Sequence, residues 1–164
     1  MTRLFIAVWP PDEVIEDLRA LPRKDQRGVR FVEPERWHVT LRFLGEADPR
    51  QVSSALDGCA LAPATARLGP GVDVLGERSL VIPVGGLDEL ASDVCNLTAH
   101  LGEPARQRFT GHLTLARLKH YASMPRALGM SLSAEFDVVE VALVESRLHA
   151  DGVRYETIDA WRVG

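Results

Sequence analysis

The chain is predicted to fold as an α+β domain of antiparallel sheet with helices on the outside. Three observations predict this. Runs of strand length recur along the 164 residues, helix-spaced segments separate some of them, and several runs are joined by tight turns rather than by helical crossovers. A Rossmann-type sheet is therefore not expected.

Residues 4–9 (Leu-Phe-Ile-Ala-Val-Trp) form a short apolar run closed by Pro10 and Pro11, which reads as a buried strand. Asp12 is expected to cap a helix that turns Val14, Leu18 and Leu21 inward and stops at Pro22. Residues 29–32 and 37–44 read as strands separated by the turn-prone Glu33-Pro34-Glu35. Asp48 followed by Pro49 has the form of an N-cap with proline in the first turn, opening a helix to about Cys59 with Val52 and Leu56 inward. Residues 64–75 and 79–84 look like a strand pair with glycine punctuation. The clearest helix is 88–101, where Leu90, Val94, Leu97 and Leu101 recur at helical spacing before Gly102. Residues 110–118 are strand-like, 119–131 are expected to be loop, and 136–148 and 153–163 alternate as two strands joined across Ala150-Asp151-Gly152.

With 46% hydrophobic and 26% charged residues, the chain is expected to be one domain, 1–164, of two lobes. A formal net charge of -4 excludes the overall basic field that drives bulk nucleic-acid binding, so any nucleic acid should be held by an end or as a nucleotide. Arg36 and Arg42, and Arg106, Arg108 and Arg117, can still make a cleft locally positive. Cys59 and Cys95 match neither a disulfide framework nor a metal spacing and read as buried free thiols of a reducing compartment. The opening apolar run is too short for a signal peptide, and no run approaches the ~18 apolar residues of a membrane span. A cytoplasmic monomer with no membrane partner is the expectation.

One pattern occurs twice: Trp37-His38-Val39-Thr40-Leu41-Arg42 and Gly111-His112-Leu113-Thr114-Leu115-Ala116, each His-x-Thr-Leu. In a strand, residues i and i+2 share a face, so each copy presents an imidazole beside a hydroxyl. Two such strands facing each other would surround one pocket with two histidines and two threonines. That set suits phosphodiester hydrolysis. A neutral histidine can deprotonate water while a protonated one gives a proton to the leaving oxygen, each role being worth about 10²–10⁴ in rate. The hydroxyls can hold the non-bridging oxygens as charge builds. Such chemistry requires neither metal nor cofactor, and a five-membered cyclic phosphate adds its own ring strain. A single His-x-Thr is more often a half-buried structural histidine; the duplicate in the same strand context favours the paired site.

At these blocks the sequence resembles the two-histidine phosphoesterases, specifically the RNA 2',3'-cyclic phosphodiesterases, also called 2'-5' RNA ligases. The resemblance rests on residues 4–8, 37–45 and 112–117, and on Leu143-Val144-Glu145-Ser146, Tyr155 and Trp161. It implies a bilobal, pseudo-twofold fold whose lobes each give one His-x-Thr strand to a central cleft. It also implies hydrolysis of a 2',3'-cyclic phosphate to a 2'-phosphate, with His38 as proton donor, His112 as proton acceptor, and RNA 3' ends or cyclic nucleotides as substrates. The near-symmetric motifs alone do not distinguish the two roles. Similar proteins often have proline before the second histidine, where this chain has Gly111, a departure expected to loosen the strand entry.

Thr40 and Thr114 are expected to bind substrate. Arg117, which the resemblance suggests for phosphate binding, has the wrong strand parity unless a bulge intervenes. Arg42 has the right parity and reads as a solvated charge at the cleft rim; Phe43 has the wrong parity and reads as core. Tyr155 and Trp161 read as packing residues. His100, His120 and His149 lack companions at metal spacing and read as surface or helix-end histidines. The competing functions are an ADP-ribose 1'',2''-cyclic phosphodiesterase, a reversible 2'-5' RNA ligase, and a nucleotide- or RNA-binding module without turnover. Two titratable groups at one phosphate disfavour the last of these.

Overall fold

The computed structural model describes residues 2–164. Its centre is a seam between two motif strands, β3 (Val39–Ala47) and β7 (His112–Leu118). On one side of β3 follow β1 (Thr2–Val8), β9 (Glu140–His149) and the edge strand β10 (Gly152–Arg162). On the far side of β7 follow β6 (Ser79–Gly85), β4 (Thr65–Leu68) and the edge strand β8 (Ala134–Asp137). Short strands β2 (Val29–Phe31) and β5 (Asp73–Leu75) pair with β7 and β6. Every pairing is antiparallel. With the three helices, this is the expected α+β class.

The order is symmetric about the seam. Each motif strand is flanked by the strand that precedes it through a helix: β1, α1 (Asp12–Arg19), β3 on one side, and β6, α3 (Asp88–Leu97), β7 on the other. The segment leading into each motif strand crosses to the opposite one. β2 pairs with β7 through Val29↔Leu118, Arg30↔Arg117 and Phe31↔Ala116, and the Glu103 backbone N–H donates to the Leu44 carbonyl of β3 at 2.8 Å.

β1 is apolar on both faces because both are covered. Leu4, Ile6 and Val8 belong to the main core, while Phe5 and Ala7 form a second cluster with Ala142 and Val144. In α1, Val14 and Leu18 are buried as expected. Its cap is Pro11, whose carbonyl accepts from Val14 and Ile15, and Asp12 is instead a first-turn acid favoured by the helix dipole. The second helix, α2 (Pro49–Leu56), starts as its sequence predicts, with the Asp48 carboxylate accepting from the Arg50 N–H at 2.9 Å. It stops three residues short of Cys59 because Asp57 turns extended. α3 ends at Leu97, yet Leu101 remains buried in the turn that follows. Gly102 has φ +63°, and a Cβ there would clash with the Leu44 carbonyl oxygen.

Two long expected strands are divided. Residues 64–75 break at Gly69-Pro70-Gly71 into β4 and β5, because β4 pairs with β8 as well as β6 whereas β5 meets only β6. Residues 136–148 break between β8 and β9 because the chain there passes from one half of the sheet to the other. The 119–131 segment contains no regular element, as expected. Both cysteines are free, and they are half-buried rather than buried. No helix among the described residues is long and apolar enough to cross a membrane.

Candidate active site

β3 and β7 meet through one residue pair, Val39↔Leu113. This register puts His38 level with Thr114 and Thr40 level with His112, so each histidine faces the other motif's threonine across the seam. Val39 and Leu113 point into the core and are 1% and 0% exposed. The alternation expected from sequence therefore holds at the start of each motif, although His38 lies just before β3 rather than inside it.

Further along, both strands break the alternation at the same place. Opposite β1, Ile6 pairs with Arg42 and Ala7 with Thr40, which leaves Leu41 as an extra residue. Opposite β6, Leu80 pairs with Ala116 and Val81 with Thr114, which leaves Leu115 extra. The leucine of each His-x-Thr-Leu is thus a bulge, and it reverses the parity of the residues that follow, in β3 as far as a second register shift at Leu44.

Three sequence expectations change as a result. Arg117 turns onto the face of His112 and Thr114 and lines the cleft, its Nη1 donating to Ser79 Oγ at 2.7 Å. Phe43, expected in the core, is 41% exposed and lines the cleft beside Thr40. Arg42, expected at the rim, is 2% exposed and inserts behind the sheet. Its guanidinium donates to the carbonyls of Leu101 (2.8 Å), Glu103 (2.7 Å) and Phe43 (2.9 Å), among them the groups that α3 and its turn leave unpaired.

His38, Thr40, His112, Thr114 and Arg117 all line one cleft of about 1270 Å3. Each imidazole is held by the carbonyl two residues before it: His38 Nδ1–H donates to Arg36 O at 2.6 Å and His112 Nδ1–H to Thr110 O at 2.8 Å. A carbonyl can only accept, so Nδ1 carries the proton in both rings and Nε2 is left for chemistry.

The two rings differ in their surroundings. His38 stacks on Phe5 at 4.8 Å between centroids and meets Tyr155 and Trp9 edge-on at 5.4 and 5.5 Å; its Nε2 lies 3.0 Å from Thr40 Oγ1. Burial holds its pKa below the ordinary 6.5; the Arg36 carbonyl opposes that shift, and the nearby His112 and Arg117 add to it. His112 is the more open of the two, its Nδ1 hydrogen bond exposed where that of His38 is part-buried.

Tyr155 is a cleft residue, not simply packing. Its contact with His38 spans more than a hundred residues and depends on the β9–β10 hairpin folding beside β1, for which no local signal exists. Trp161 packs as expected, its indole N–H donating to Asp57. Gly111 is tightly fitted rather than loose, since a Cβ there would clash with the Val84 carbonyl oxygen. His100, His120 and His149 are exposed, although His149 also borders the cleft. Among the described residues no group of three or more His, Cys, Asp or Glu is placed to hold a metal ion.

Known proteins are similar to this chain in sequence and in shape. A family model described as "LigT like Phosphoesterase" matches residues 8–68, which contain the first motif. An RNA 2',3'-cyclic phosphodiesterase of Aquifex aeolicus is 30% identical over 185 residues, covering 100% of this chain and 98% of its own length. One of Methanocaldococcus jannaschii is 25% identical over 172 residues, covering 97% and 99%. A crystal structure from Thermus thermophilus superposes with a TM-score of 0.77 at 27% identity, over 98% of this chain and 97% of its own.

Proposed function

Since the chain belongs to the two-histidine phosphoesterase family of RNA 2',3'-cyclic phosphodiesterases, we propose that it opens 2',3'-cyclic phosphates at RNA or nucleotide ends to 2'-phosphomonoesters, by metal-independent acid/base catalysis. The observation that carries this reading is the cross-seam arrangement, in which two Nδ1-anchored imidazoles and two threonines face one cleft. Residues 1–164 would act as one two-lobed, monomeric, cytoplasmic enzyme.

In this mechanism His112 Nε2 takes a proton from the attacking water as its oxygen bonds to phosphorus. The P–O3' bond breaks and His38 Nε2–H protonates the leaving 3'-oxygen, so the product carries a 2'-phosphate and a 3'-hydroxyl. Thr40, Thr114 and Arg117 hold the non-bridging oxygens. The aromatic wall around His38 lowers its proton affinity in the empty cleft, and the phosphodiester anion restores it. His38 is therefore protonated when substrate is present and releases that proton readily. The cleft-facing ring of Phe43, one pleat beyond Thr40, offers the base a stacking surface.

The test is hydrolysis of a nucleoside 2',3'-cyclic phosphate in excess EDTA, with the product read by phosphorus NMR. A 2'-phosphate should form undiminished by EDTA, and His112→Ala should lose about 10²–10⁴ in rate. A 3'-phosphate product, or turnover only with added metal, would sink the reading.

A further inference from the structure

The β9–β10 hairpin runs past the sheet that carries it. β1 pairs with β9 only as far as Leu4↔Glu145, whereas β10 stays paired to β9 as far as Gly152↔His149. Residues 146–149 and 152–155 are therefore a two-stranded ribbon with no third strand beside it, and residues 148–155 all line the cleft. Alternation is unbroken along this ribbon, because the register shift of the hairpin lies at Ile158. Val144 packs with Phe5, and Tyr155 meets the rings of Phe5 and His38, so their shared face is the cleft face. Further out on that face stand Leu148 and Val153, direct cross-strand partners. Leu148 is 85% exposed, more than any other large hydrophobic side chain among the described residues. The two arginines near the tip are neutralised within the hairpin, Arg154 by Asp151 at 2.9 Å and Arg147 by Glu145 at 2.7 Å. The ribbon thus turns an uncharged apolar pair toward the cleft.

The position of that pair identifies its occupant. The Tyr155 ring is 5.4 Å from the His38 ring, and Leu148 and Val153 stand one pair of same-face residues beyond Tyr155, about 7 Å along the ribbon. This is within the reach of one nucleotide from the reacting phosphate. A 2',3'-cyclic phosphate ends its chain, so any neighbouring nucleotide lies on its 5' side, and the part of that nucleotide which complements an uncharged apolar surface is the face of its base. Resting on the cyclic phosphodiesterase reading above, we propose that Leu148 and Val153 form a platform for the nucleobase 5' of the terminal nucleotide, whose own base lies on Phe43. The substrate class then becomes RNA ends of two or more nucleotides in preference to free cyclic mononucleotides. Sequence preference at the penultimate position is weak, because every base offers a flat face.

The test compares a dinucleotide and a mononucleotide, both ending in a 2',3'-cyclic phosphate, as the ratio of their kcat/KM values. Wild type should prefer the dinucleotide. Leu148→Ser should lower the ratio about tenfold, the effect of uncovering much of one leucine side chain, while Leu148→Phe, which keeps an apolar face, should retain it. On a dinucleotide whose 5' residue lacks a base, wild type and Leu148→Ser should be equal, which separates a base contact from one to sugar or phosphate. A wild type without preference overturns the platform, as does a loss in Leu148→Ser that is equally large on the mononucleotide. An unchanged ratio in Leu148→Ser also overturns it, including one accompanied by a shift in sedimentation that would mark the leucine as a contact between copies of the chain.

If neither substrate is hydrolysed, the cyclic phosphodiesterase reading fails while the platform is still judged by binding. A 5'-labelled dinucleotide with a 2'-phosphate end should lose affinity about tenfold in Leu148→Ser, and equal affinity overturns the proposal.

Discussion

Phe43 and Arg117 occupy equivalent places, five residues after His38 and His112, and both face the cleft because a bulged leucine reverses the parity of each strand. They lie on opposite sides of the seam, since β3 and β7 run antiparallel from it. The cleft is therefore symmetric in its histidines and threonines and asymmetric in the residue that follows each pair, Phe43 on one strand and Arg117 on the other.

Phe43→Ala should raise KM for nucleoside cyclic phosphates about tenfold or more, since stacking on an aromatic ring contributes about 1–3 kcal/mol per base. The ring is exposed and lines the cleft, with the Arg3 guanidinium over it at 5.3 Å from its centroid. Phe43→Trp should retain the affinity. Steady-state kinetics with ribose 2',3'-cyclic phosphate, which has no base, is the control; an equal loss on that substrate would rule out stacking.

His38 should titrate below pH 6.5 in the free protein, because burial outweighs the Arg36 carbonyl. Adding a nucleoside 2'-phosphate should move the titration upward, as the anion stabilises the imidazolium. Imidazole NMR shifts against pH, with and without ligand, measure both. A free-state value above 6.5 would contradict the burial argument.

The same shift has a stability counterpart. The folded pKa is lower than the unfolded one, so between the two the unfolded chain binds more protons and stability rises with pH. His38 thus costs stability as pH falls below 6.5, fully so below its folded pKa. Urea unfolding of His38→Asn should show a shallower loss between pH 6.5 and 5 than wild type.

Arg42→Met should destabilise the fold by about 3 kcal/mol in urea unfolding, because it strands buried carbonyls that the guanidinium satisfies. Those carbonyls belong to Leu101, Glu103 and Phe43, so the loss should also loosen the turn after α3. A change under 1 kcal/mol would show that water replaces the guanidinium without cost.

Gly111→Ala should lower the melting temperature and kcat together, since its Cβ would press on the Val84 carbonyl and displace the start of β7. Overpacking of this kind costs about 1–3 kcal/mol. Wild-type kcat in this variant would mean that β6 yields without moving His112.

Much of this is legible in the sequence. Periodicity and turn residues locate β1, α2, α3 and the β9–β10 hairpin, and the repeated His-x-Thr-Leu picks out the two strands that meet at the seam. Local chemistry decides such features: Asp48 caps α2 because its own side chain reaches the N–H two residues on. Less legible are the ends of elements and the residues after each motif. Asp12 has a capping side chain, but Pro11 takes the cap position. Alternation carried through a bulge assigns Arg42 and Phe43 to each other's faces.

By itself, then, the sequence determined the α+β class, the strands that carry the histidines and the residue types brought to the cleft, all consequences of short-range pattern. Tertiary structure alone decided which face each residue after the motif presents, and which distant side chains surround His38. A bulge is set by register against a partner strand, Leu41 against β1 and Leu115 against β6. Register depends on contacts between residues far apart in the chain, which a local pattern does not encode.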